Sequence, residues 1–361
     1  MGTTGKTPEQ IKYHRTRSKN RPFARTPDTG ILGSVLRARS SATSRRWFSF
    51  VLSAALLLAW TVPAFSDSKP APPPTWVRKR PAAATQVEKS VQDRGTNPCM
   101  TADPGFGSYS TWSRAPAMGQ MIVPNSLTKS STTFDVVFHF HGHEAARKEW
   151  VRSVDGVVLV GIDLGNGSGA YQEGFAVPAV FEALLKSVER GVQEHVGNPK
   201  LRAGRVGLTA WSAGYGAVTR ILGSNFGKRR VDAVALFDGL HTSYASGNLD
   251  TARLEPVVDF AQRAAHGEKV FYISHSSIVP PGYASTTETS NYLIWRLGGK
   301  PEPASTSRQF PLGLELINSY SQGDFTVRGF SGAGKLDHCA HFGIMGEVVK
   351  SRFVARWRAR S

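Results

Sequence analysis

The sequence predicts an α/β protein, a three-layer α/β/α sandwich around a mostly parallel sheet, on three observations. From about residue 96 onward, short apolar runs alternate with stretches of helical periodicity. The runs are continuously apolar rather than alternating in and out, as expected when helices cover both faces of a sheet. One run, Arg205 to Ala210, passes through Trp211 and Ser212 straight into a helix-forming stretch that begins with small residues.

The chain before that body divides by composition. Residues 1–95 hold 17 Lys/Arg against 5 Asp/Glu, so most of the net charge of +17 lies outside the body. The body lacks a basic patch interleaved with aromatic residues, which excludes nucleic acid as an expected partner. Residues 1–44 form a polar leader. Residues 45–66 give paired arginines (Arg45, Arg46), an apolar run of about 15 residues and a small-x-small end at Ala64-Phe65-Ser66. That is the pattern of a signal peptide, too short for the roughly 20 apolar residues of a membrane span. Ser44-Arg45-Arg46-Trp47-Phe48 also resembles a twin-arginine export signal, so a periplasmic or secreted protein cleaved near Ser66 is expected. Residues 67–95, with Pro70 to Pro74 and Pro81 to Ala84, read as a Pro/Ala-rich linker. The two cysteines, Cys99 and Cys339, suit one disulfide in an oxidising compartment and are expected to pair.

Within residues 96–361, strands are predicted at Phe134 to Phe140, Val157 to Ile162, Val206 to Ala210, Val231 to Phe237, Val270 to Ile273 and Phe325 to Phe330. Helices are predicted at Val177 to His195, Ala213 to Leu222, Thr251 to Ala265 and Thr287 to Leu297, and from Cys339 to the C-terminus. At that end Arg352, Arg356 and Arg360 fall four apart. They read as a solvated basic stripe, with weak association to an anionic envelope surface as the second reading.

Ser212 carries the chemical interest. A serine hydroxyl becomes a useful nucleophile when a sharp strand-to-helix turn holds it clear of its neighbours, beside a base and backbone donors. Such a turn needs small residues on either side, and Ala210, Gly214 and Gly216 supply them. The plainer alternative is a serine that caps an ordinary helix. For a serine nucleophile the base is expected late in the chain, where Gly334 to Phe342 offers His341 first and His338 close behind, with Asp337 read as a helix N-cap. The acid is open between Asp238, at the end of the strand after the serine, and Glu288. Oxyanion donors are expected from the Ala213 N–H and from Gly142 and His143, in the loop after Asp135 to His141. His241 and His275 are secondary candidates for lining the site, and Tyr171, Phe175, Tyr215, Tyr244 and Tyr283 lie in segments that could wall a pocket.

Strand, serine turn, donor loop and late histidine loop, in their order over residues 96–361, resemble the α/β-hydrolase fold family of serine esterases, lipases and peptidases. Two departures stand out: Ala210 where the family's first glycine falls, and no aspartate closely following Val270 to Ser277. The resemblance implies an exported serine hydrolase that cleaves a small-molecule or polymeric ester or amide through an acyl-enzyme, an ester more readily than a peptide, and needs no metal or cofactor. Two rival readings stay open. One is a non-catalytic binding protein on the same scaffold. The other is a metallohydrolase that uses His139, His141 and His143, spaced two apart on a strand.

Overall fold

A computed structural model describes residues 88–305 and 309–360. The leader, the export signal and most of the linker lie outside the described residues. No helix among the described residues is long and apolar enough to cross a membrane.

The strands are β1 (Ser113–Arg114), β2 (Gln120–Ile122), β3 (Thr133–Phe140), β4 (Val157–Ile162), β5 (Arg202–Trp211), β6 (Ala233–Phe237), β7 (Tyr244–Ala245), β8 (Asn248–Leu249), β9 (Val270–His275), β10 (Glu302–Pro303), β11 (Leu316–Gln322) and β12 (Phe325–Phe330). All except the small β7–β8 hairpin form one sheet in the order β1-β2-β4-β3-β5-β6-β9-β12-β11-β10. The block from β4 to β12 is parallel throughout. Antiparallel pairs finish both edges.

Alternate residues of the central strands feed two cores, one on each face. Val136, Phe138 and Phe140 of β3 face the helices Ala179–Val196, Tyr215–Gly223 and Glu255–Ala265. Val137 faces the helix His143–Ser153 and the consecutive helical turns that run from Lys335–Ala340 to Ala355–Arg358. Each fully buried Phe or Val contributes roughly 1.5–3 kcal/mol. Burial on both faces is why β4 and β6 are apolar from end to end.

The six predicted strands are present, with β4 and β12 at their predicted limits. The edge strands were not predicted. β11, Leu-Ile-Asn-Ser-Tyr-Ser-Gln, is half polar because it packs at the margin. Three corrections concern the ends of the domain. Residues 88–94 pack on the body rather than running free: Arg94 forms an ion pair with Asp337 and donates to the Leu312 carbonyl at 2.7 Å. The last helical region begins at Lys335 rather than Cys339, and Asp337 is its third residue, accepting the N–H of the cap Gly334 at 2.9 Å. The C-terminal arginines are not a free stripe. A π-helical turn, Val349–Val354, breaks their four-residue register, Arg356 pairs with Asp324 at 2.8 Å, and Arg360 bonds the Gly267 carbonyl.

Candidate active site

β5 ends at Trp211, and the chain turns through Ser212 into a short 3₁₀ turn, Ser212–Gly214, and then the helix Tyr215–Gly223. Ser212 has φ 49°, a left-handed conformation that a non-glycine residue adopts only at a cost of about 1–3 kcal/mol. The neighbouring backbone leaves no room for a longer path. A β-carbon on Gly214 would collide with the Phe140 carbonyl of β3, and one on Gly216 would stand 3.1 Å from Cγ of Gln172. A serine that merely capped this helix would sit at its N-cap, a position held by Gly214, with Ser212 already inside the 3₁₀ turn that precedes it.

Asp238 follows β6 directly and also has positive φ, 45°, a conformation aspartate tolerates better than most residues. Its carboxylate is buried and fully engaged. Oδ1 accepts the Ser276 N–H and the Thr286 hydroxyl, each at 2.8 Å, and Oδ2 accepts the Nδ1–H of His338 at 2.6 Å. Burial alone would raise its pKa, but the neighbouring His341 and His338 and the Ser276 N–H outweigh burial and hold the carboxyl well below the usual range. With Nδ1 committed to Asp238, the remaining nitrogen of His338, Nε2, is the one available for proton transfer. Asp238, His338 and Ser212 all line one cavity of about 340 Å³.

The serine, aspartate and histidine thus follow one another along the chain as Ser212, Asp238 and His338, each at the carboxyl edge of a parallel sheet wrapped by helices. This is the α/β-hydrolase fold.

Solved structures similar to this chain include a cold-adapted esterase from an Arctic intertidal metagenomic library, at 13% identity over 68% of this chain and 99% of the esterase, with a TM-score of 0.35. An acylaminoacyl peptidase from Pyrococcus horikoshii matches at 12% identity over 68% of this chain and 42% of its own, with a TM-score of 0.38. The LpqC poly(3-hydroxybutyrate) depolymerase of Bordetella parapertussis matches at 14% identity over 66% and 88%, with a TM-score of 0.36. This chain therefore spans well under two thirds of the peptidase. No family model and no curated protein matches the sequence.

Within the α/β-hydrolase fold the other expected residues fall apart from this group. His341, preferred over His338 from sequence, is fully buried, with Nδ1 2.8 Å from the Ser274 hydroxyl and its pKa pushed down to about 4 by burial. It packs against Ser274 and Phe330, and neither cavity beside Ser212 includes it. Glu288 is a helix cap. Its carboxylate accepts the Ser285 N–H and hydroxyl, each at 2.8 Å, and the Tyr244 hydroxyl at 2.6 Å. The N–H groups of Gly142 and His143 both donate to Asp163, at 2.7 and 3.4 Å, and the His143 ring donates to the same carboxylate at 2.7 Å. Asp163 thus occupies the donors expected for an oxyanion, and this bond raises the His143 pKa. Ala213 does line a cavity beside Ser212.

The three histidines of β3 and its loop take separate partners. His139 is buried and donates from Nε2 to the His141 carbonyl at 2.8 Å, leaving Nδ1 to accept from the Thr209 hydroxyl at 2.9 Å. Its pKa is pushed down to about 4 by burial. His141 meets the Tyr171 hydroxyl at 3.0 Å and stacks on Trp211, the two rings within 8° of parallel. No group of three His, Cys, Asp or Glu among the described residues is spaced to hold a metal ion. His241 donates to the Ala284 carbonyl at 2.8 Å and stands between Tyr215 and Tyr283 at the cavity wall. His275 is buried against Thr287, Tyr171 against His141, and Phe175 in the core.

Cys99 and Cys339 are disulfide-bonded. Cys339 directly follows His338, so the bridge fixes the histidine-bearing helix to the start of the domain. Trp211 adds a second tie: its indole N–H donates to the His338 carbonyl at 3.0 Å.

Two contributors escaped the sequence reading. Asp163 follows β4 as Asp238 follows β6, so the strand-end rule that singled out one would have found the other. Gly239 lies against the backbone of Ser212, a contact that becomes visible only when β5 and β6 are set side by side.

Proposed function

We propose that this chain is an exported serine hydrolase that cleaves an ester or amide bond through an acyl-enzyme. The observation that carries the reading is the 2.6 Å bond from His338 to the buried, fully hydrogen-bonded Asp238, on a cavity shared with a strained Ser212. In this reading Ser212 Oγ attacks the acyl carbonyl while His338 Nε2 takes its proton. The Ala213 N–H faces the negative charge that develops on the carbonyl oxygen. His338 then returns the proton to the leaving group, and water, activated in the same way, releases the acid and restores the serine. Asp238 keeps the imidazole in the Nδ1–H tautomer and offsets its positive charge. Export is supported by the signal-like residues 45–66 and by the disulfide, which suits an oxidising compartment.

The test is covalent labelling of the oxidised protein by a fluorophosphonate, with the adduct located by mass spectrometry. Labelling at Ser212 that is lost in Ser212→Ala and in His338→Ala supports the assignment. Folded protein that stays unlabelled returns the chain to the binding-protein reading.

A further inference from the structure

Ser212 lies between two cavities of different character. One, of about 340 Å³, contains His338 and Asp238. The other, of about 460 Å³, opens past Ala213 and contains neither. A departing alcohol must take its proton from His338, so it occupies the cavity that His338 lines. The acyl group, which needs no proton, is left the other.

That second cavity is built for hydrogen bonding. Apart from Ala213 and glycines, its wall is made of polar and aromatic side chains, among them Asn166, Ser168, Gln172 and Arg253. No Leu, Ile, Val or Met lines it, whereas each methylene of an alkyl chain buried on an aliphatic wall would contribute roughly 0.8 kcal/mol. The side-chain amides of Asn166 and Gln172 have no hydrogen-bond partner among the described residues, and Ser168 Oγ meets only the Tyr215 hydroxyl, at 3.3 Å. An alkyl chain seated here would strip water from these groups and return nothing. Gln172 is held in place from behind, because Gly216 lets its helix, Ser168–Gly174, pack directly on the helix that follows the serine.

Resting on the serine-hydrolase reading, we infer that the acyl group of the substrate is hydroxylated, a hydroxy acid rather than a fatty acid. The test compares 4-nitrophenyl esters, which share a leaving group: 3-hydroxybutanoate against butanoate and octanoate, with each kcat/KM divided by the ester's own rate in alkaline buffer. The expected result is a preference of about tenfold for the hydroxy ester, the value of one to two hydrogen bonds, and a fall from butanoate to octanoate. Gln172→Leu should erase most of that preference, by weakening the hydroxy ester and favouring the alkyl ones. Asn166→Ala, at an exposed position, repeats the test with little risk to folding. A preference for alkyl esters that rises with chain length overturns the inference, as does a ratio unmoved in both variants. Fluorophosphonate labelling of the same samples separates the two failures. If Ser212 is labelled, only the acyl assignment falls. If it is not, the hydrolase reading falls and takes this one with it.

Discussion

Gly239 presses against the main chain of Ser212. A β-carbon on Gly239 would stand 2.7 Å from the Ser212 nitrogen and closer still to its carbonyl oxygen. The residue after Asp238 thus lies against the turn that presents Ser212, and β5 and β6 deliver the two residues in fixed register, with Trp211 opposite Phe237.

Gly239→Ala is therefore expected to act on both stability and reactivity. Forcing a methyl into this contact should cost about 1–3 kcal/mol and slow fluorophosphonate labelling at Ser212. Thermal denaturation and labelling rates check it. Unchanged labelling in a destabilised protein would show that the turn yields without moving the hydroxyl.

The two late histidines and two carboxylates should separate cleanly. His338→Gln and Asp238→Asn are expected to lower kcat/KM on an activated ester by roughly 10³–10⁴ or more, since members of such a group act as a unit. His341→Gln, which touches Ser274, and Glu288→Gln, which weakens a helix cap worth about 1 kcal/mol, should lower Tm and leave kcat/KM within a few-fold. Steady-state kinetics on the four variants decides it, and equal losses for His338→Gln and His341→Gln would undo the assignment.

Acid should weaken the fold before the carboxylates protonate. His139 and His341 titrate at about 4 in the folded protein against an ordinary 6.5, because burial disfavours their charged forms. Between those values the unfolded chain binds more protons than the folded one. Their contribution is therefore complete above about pH 6.5 and is lost as pH falls toward 4. Tm should drop between pH 7.5 and 5, and the drop should shrink in a His139→Gln, His341→Gln double variant. A flat profile in the parent protein would contradict the burial argument.

Reduction of Cys99–Cys339 should destabilise the domain strongly, because the bridge closes a loop across a sequence separation of 240 residues. In the chain-entropy model such a closure is worth on the order of 5 kcal/mol. Denaturant titrations of oxidised and reduced protein measure the difference. Labelling should also slow, since Cys339 adjoins His338. A reduced protein as stable as the oxidised one would mean that the packed residues 88–94 hold that end of the domain by themselves.

The fold was legible because burial on both faces writes a strand as an unbroken apolar run. β4 and β6 each announce themselves in this way, whereas β11 mixes leucine and tyrosine with serine, asparagine and glutamine and carries no such mark. Ser212 was legible for a local reason, the small residues that its turn requires. The choice between His338 and His341 was not, because His338 lies in the helix Lys335–Ala340 and His341 in the 3₁₀ turn after it, and only packing decides which one reaches the end of β6. Glu288 drew attention as a carboxylate in a plausible place, yet Ser285 three residues earlier already spelled a capping box. Gly142 and His143 do follow β3 closely, capping and opening the next helix, and the carboxylate that takes their N–H groups follows another strand.

The bond from Trp211 to the histidine segment ends on a main-chain oxygen rather than on the imidazole. The bond itself needs no particular side chain at position 338, while the same indole also packs on the imidazole, with ring centroids 4.5 Å apart. Replacing that histidine removes the proposed proton carrier while the indole still anchors the segment and the neighbouring bridge still tethers it.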